Sequence, residues 1–79
     1  MRKSVHTRQY QVFVEQLAEA RKAAGLTQQQ LADKLGRPQS FVAKYENGER
    51  RLDVVEFLGI AKLLKADPHQ IARAVEGAK

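Results

Sequence analysis

Residues 27–48 read TQQQLADKLGRPQSFVAKYENG, and the way this stretch folds decides the rest of the chain. Thr27 and Gln30 stand three apart just ahead of an apolar run, the spacing at which a threonine hydroxyl and a glutamine amide cap a helix reciprocally. Leu31, Ala32 and Leu35 then recur at helical spacing, and Gly36 closes the segment where left-handed backbone is needed. Pro38 suits the first turn of a second helix. That helix carries Phe41, Val42 and Tyr45 on its apolar side and Gln39, Ser40 and Lys44 on its polar side, before Asn47-Gly48 end it. The two helices run to about eight and about nine residues. Two helices meeting across so short a turn need a small residue at their contact and a turn residue tolerant of positive φ. Ala32 and Gly36 supply them, and Val42 plugs the second helix into the first.

The flanking sequence adds three more helices. Upstream, Thr7 can cap a helix whose Tyr10, Phe13, Val14, Leu17 and Ala24 form the inward stripe, with Gly25 as its stop. Downstream, Asp53-x-x-Glu56 repeats the capping-box spacing ahead of Phe57, Ile60, Ala61 and Leu64. Asp67-Pro68 opens a last helix with Ile71 and Val75 inward. No segment alternates with period two over strand length. The expectation is an all-α fold, a compact five-helix bundle forming one domain over residues 7–79, preceded by a flexible basic arm at residues 1–6.

Composition narrows the function. The chain has 79 residues, 43% of them hydrophobic, and a formal net charge of +5. The excess is uneven. Residues 1–22 carry five basic and two acidic side chains, residues 23–51 five and three, and residues 52–79 four and four. A basic N-terminal two-thirds over a neutral C-terminal third suggests one anion-facing surface and one surface with another task. A domain this small leaves little room for an enclosed pocket beside its core. The carboxylates are scattered, no nucleophile stands near a base, and no glycine-rich phosphate loop occurs, so an enzyme is not expected. The chain has no cysteine, and His6 and His69 lack companion ligands, so neither a metal nor another cofactor is expected. No apolar run approaches a membrane span, and Met1-Arg2-Lys3 is followed by no apolar signal segment. These features together predict a cytoplasmic protein without a membrane association.

Gln28, Ala32, Gly36, Val42 and Tyr45-Glu46-Asn47-Gly48 together resemble the helix-turn-helix of phage repressors, Cro and the Xre-like regulators. The likeness extends along GLTQQQLADKLGRPQSFVAKYENGERRLDVVEFLGIAKLL, residues 25–64, and the five-helix layout matches outside it. The resemblance implies a lambda-repressor-like fold and binding to double-stranded operator DNA. It implies base reading by Gln39, Ser40 and Lys44, with Phe41 and Ala43 beside them and Phe41 against a thymine methyl. It implies phosphate contacts by Gln28, Asn47 and the basic loop Arg50-Arg51, with Thr27 and Arg37 at the starts of the two helices. It further implies a partly buried ion pair between Arg21 and Glu46. Two positions depart from the family pattern: Ala43 stands where many relatives have serine, and Arg37-Pro38 replaces the usual capping serine or threonine.

Elementary geometry agrees with these roles. A helix about 10–12 Å across with its side chains enters a major groove about 12 Å wide. Glutamine pairs bidentately with adenine, and lysine donates to guanine. By itself, the polar side of the second helix reads equally as a solvated face, and Tyr45 reads as core. One such module reads only a few base pairs, so a homodimer is expected, with contact through the neutral region near Leu63, Ala66 and the start of the last helix. A repressor is the leading expectation. The alternatives are an antitoxin with a toxin partner, a restriction–modification controller, and a protein-interaction module without a DNA role.

Overall fold

The computed structural model describes residues 7–78, so the expected arm at residues 1–6 lies outside the described residues. Five helices follow one another: α1 Arg8–Ala23, α2 Gln28–Leu35, α3 Gln39–Glu46, α4 Val54–Leu64 and α5 Pro68–Gly77. The described residues contain no strand.

The helices begin where their capping side chains dictate. Thr7 Oγ1 accepts the Tyr10 amide at 3.1 Å. Thr27 Oγ1 accepts the Gln30 amide at 3.0 Å while Gln30 Oε1 accepts the Thr27 amide at 2.9 Å, the reciprocal box its spacing foretold. Asp53 and Glu56 form the same box on α4, at 2.7 and 3.0 Å. Asp67 caps α5, with Pro68 as its first residue. α3 differs from expectation. Pro38 is the N-cap and not part of the first turn: its ψ of 154° is extended, and it offers no side-chain acceptor. α3 therefore starts at Gln39 and is eight residues long.

Between α2 and α3 the chain reverses at Gly36, whose φ of 69° is left-handed. The amides of Gly36 and Arg37 bond back to the carbonyls of Asp33 and Ala32, at 3.2 and 2.9 Å. This closure satisfies two of the four carbonyls in α2's last turn and aims α3 across α2. α4 ends with the same pair of bonds, Lys65 to Lys62 and Ala66 to Ala61, but there a lysine holds the left-handed position at φ 58°.

The core is built from the expected stripes. Leu17, Leu31, Ala32, Val42, Tyr45, Ile60, Leu64 and Ile71 bury against one another. Phe13 meets Phe57 edge-on at 5.1 Å, sealing α1 to α4. Ala24 departs from its expected inward place: it is exposed, because α1 ends at Ala23 and Ala24 serves as its cap. No helix among the described residues is long and apolar enough to cross a membrane.

Candidate functional site

α3 is held by its buried side, where Val42 and Tyr45 are fully buried. The opposite side leaves Gln39, Ser40 and Lys44 exposed, with Ala43 half-buried between the two faces. Phe41 requires a correction. It was expected beside the base-reading positions, against a thymine methyl, yet it is only 7% exposed. The helical turn that points Ser40 and Lys44 outward rotates Phe41 inward, where its ring meets Tyr45 edge-on at 5.5 Å. Its outer face is covered by two guanidinium groups, Arg37 at 4.3 Å and Arg50 at 4.8 Å from the ring centre.

A polar relay reaches this exposed face from the interior. Arg21 Nε donates to Glu46 Oε2 at 2.8 Å, and Arg21 Nη2 to Glu46 Oε1 at 3.2 Å. The two side chains are 11% and 8% exposed, so this is the partly buried pair implied by the resemblance. Arg21 also donates to the Leu26 carbonyl at 2.8 Å, and its bonds to Glu46 raise its pKa. Gln28 Nε2 donates to the same Glu46 carboxylate at 2.9 Å, and Gln39 Nε2 donates to Gln28 Oε1 at 2.8 Å. Gln28, expected as a phosphate contact, is in this structure the link between the buried ion pair and the first exposed residue of α3.

The basic residues around α3, together with Asn47, fall into two groups. Arg51, Lys44 and Asn47 are exposed, and none of their side chains makes a hydrogen bond among the described residues. Arg51 lies 5.7 Å over the Tyr10 ring. Arg37 and Arg50 are instead gathered by Glu56. Arg50 bonds it through both terminal nitrogens at 3.1 and 3.0 Å, and Arg37 reaches it at 3.4 Å. The Arg50 hydrogen bonds, followed by the Asp53 amide, lower the Glu56 pKa to about 2. Thr27 is exposed at the start of α2, with its hydroxyl engaged in the cap.

Two residues act here that sequence reading assigned only to capping and core. Glu56 stands at the third position of α4, where its cap was legible but its reach to Arg37, nineteen positions earlier, was not. Tyr10 was legible as an apolar stripe residue. Its hydroxyl accepts the Leu52 amide at 2.9 Å and lies 3.5 Å from the Arg50 carbonyl, fixing the path of the basic loop against α1.

A protein family described as a helix-turn-helix domain matches residues 12–74. Among solved structures, the chain is similar to an XRE-family like protein from Pseudomonas syringae pv. tomato str. DC3000. The two share 49% identity over 92% of this chain and 89% of that chain, with a TM-score of 0.82. No curated protein matches.

Proposed function

This chain belongs to the XRE-like helix-turn-helix family of DNA-binding regulators, and we propose that it is a sequence-specific repressor that reads the major groove with α3 as a homodimer. The observation that carries this reading is the division of α3. Its buried side is fixed by Val42 and Tyr45, so that Gln39, Ser40 and Lys44 are presented as a rigid exposed row. Gln28, Asn47 and Arg51 flank that row at the ends of the motif, where a phosphate backbone would run. Arg37 and the starts of α2 and α3 add donors on the same side. Blocking a promoter by occupying it is sufficient for repression, and the protein would act in the cytoplasm on its operator.

Dimerisation is proposed through α4. Leu63 and Ala66, expected at the contact, instead pack against the core. Among the described residues, the large apolar side chains left exposed are Val54, Val55 and Leu58, at 69%, 79% and 47%. Their stripe on one helix is of the kind that a second copy covers in a two-fold contact. Selection of duplexes from a random pool, at two salt concentrations, tests both parts. The reading predicts an enriched sequence with two-fold symmetry. Enrichment of an asymmetric site bound by one copy would reject the homodimer, and no enrichment would reject sequence-specific reading. An antitoxin would use the same apolar face for its toxin, and would then appear in a one-to-one complex with a second protein.

A further inference from the structure

Arg37 and Arg50 come from opposite ends of α3, one in the turn before it and one in the loop after it. They converge on a single ring and a single carboxylate. Both guanidiniums cover Phe41, at 4.3 and 4.8 Å, and both bond Glu56, Arg50 in fork geometry at 3.1 and 3.0 Å and Arg37 at 3.4 Å. Glu56 is itself immobilised, because its Oε1 accepts the Asp53 amide at 3.0 Å in the α4 cap. Its side chain is 17% exposed, whereas those of Arg37 and Arg50 are 43% and 38% exposed. The carboxylate is thus sheltered behind two arginines that remain open to solvent.

A carboxylate and a phosphate present the same paired oxygens to an arginine fork. We propose that Glu56 is an intramolecular competitor for phosphate: it occupies the Arg50 fork, cancels one of the two positive charges, and so sets how many phosphates the protein holds on any duplex. This rests on the DNA-binding reading above and names its regulator. Arg37 uses only Nη2 towards Glu56, and the other nitrogens of its guanidinium carry no hydrogen bond among the described residues. It is therefore the arginine of the pair left available to a phosphate. Arg50 turns its Nη1–Nη2 fork to a phosphate only by leaving Glu56. Non-specific binding is almost wholly electrostatic, so a built-in competitor lowers it more than binding that also draws on base contacts.

The test is Glu56→Gln, which keeps the oxygen that accepts the Asp53 amide and so preserves the cap. Affinity for a random duplex is measured across salt for wild type, Glu56→Gln, Arg50→Ala and the double variant, with circular dichroism to verify folding. The expected result is a several-fold tighter Glu56→Gln and a log affinity against log salt plot steeper by about 0.9, the value of one added phosphate. Arg50→Ala should flatten the plot less in the wild-type background than in Glu56→Gln. An unchanged or shallower slope in Glu56→Gln overturns the proposal while wild-type binding stands. Absence of any salt-dependent binding by wild type overturns the DNA reading and the proposal together. If Glu56→Gln does not fold, Arg50→Ala alone decides: a slope loss equal to that of Arg51→Ala overturns the proposal, and a distinctly smaller loss supports it.

Discussion

Gln39 donates to Gln28 across the helix-turn-helix at 2.8 Å, and Gln28 passes the constraint to Glu46 at 2.9 Å. The first exposed residue of α3 is therefore oriented by a relay that ends in the interior. This predicts that Gln28→Ala frees Gln39 to change rotamer. Discrimination at the base pair Gln39 reads should fall by about 1 kcal/mol, the net worth of one such hydrogen bond. Binding to single-base variants of the selected site checks it: preference should weaken at that position and persist at the one read by Lys44.

The Arg21–Glu46 pair anchors the relay and joins α1 to the end of α3. Glu46→Ala leaves Arg21 nearly buried without its carboxylate, and only the Leu26 carbonyl still accepts from it. Breaking a buried pair in this way costs about 3–5 kcal/mol, a large share of the ~5 kcal/mol expected of so small a domain. Urea unfolding at about neutral pH should show the variant retaining only about 0–2 kcal/mol of stability, with a midpoint far below that of wild type. A midpoint equal to that of wild type would remove the pair from the account of stability.

Glu56 also gives stability a dependence on pH. Its folded pKa of about 2 lies below the ordinary glutamate value, through the Arg50 hydrogen bonds first and the Asp53 amide second. A depressed folded pKa contributes stability that is complete above the unfolded value. It is lost as pH falls through the folded value. The window runs from about pH 5 down to about pH 2. Because Arg50 is 38% exposed, solvent screening limits the contribution to about 1 kcal/mol. The stability difference between wild type and Glu56→Gln should shrink by about half of that amount between pH ~6 and pH ~3, and by the rest below pH ~2.

Lys65 holds left-handed backbone at φ 58°, in the position that Gly36 fills at the end of α2. A side chain there costs about 1 kcal/mol, partly offset by the freedom a glycine loses on folding. Lys65→Gly should stabilise the domain by about 0.5 kcal/mol, read as a melting temperature higher by a few degrees. A lower melting temperature would show that the lysine stem contributes packing worth more than the strain.

The helices were legible because their starts carry their own acceptors. Thr7, Thr27, Asp53 and Asp67 each cap where the spacing of hydroxyl or carboxylate to the apolar stripe placed them. Pro38 was misplaced by one position because proline suits both the first turn and the residue before it. Its ψ, set by the reversal at Gly36, decides between them. Phe41 was given two incompatible roles because it neighbours the exposed Ser40 in sequence. The helix separates adjacent residues by about 100°, and burial follows the stripe it shares with Tyr45. The roles of Tyr10 and Glu56 depend on contacts across 42 and 19 positions. Those contacts exist only after packing, and no local pattern announces them.

On the proposed function, α3 reads bases while its flanks hold phosphate, and this division of labour is open to experiment. It is tested most directly by comparing Lys44→Ala with Arg51→Ala on the selected site and its single-base variants, across salt. Lys44→Ala should abolish preference at a particular base position, costing about 1–3 kcal/mol on the best site. Arg51→Ala should weaken every sequence alike and flatten the salt plot by about one unit. A Lys44→Ala variant that loses affinity uniformly, with every base preference intact, would contradict the assignment of α3 as the reading helix.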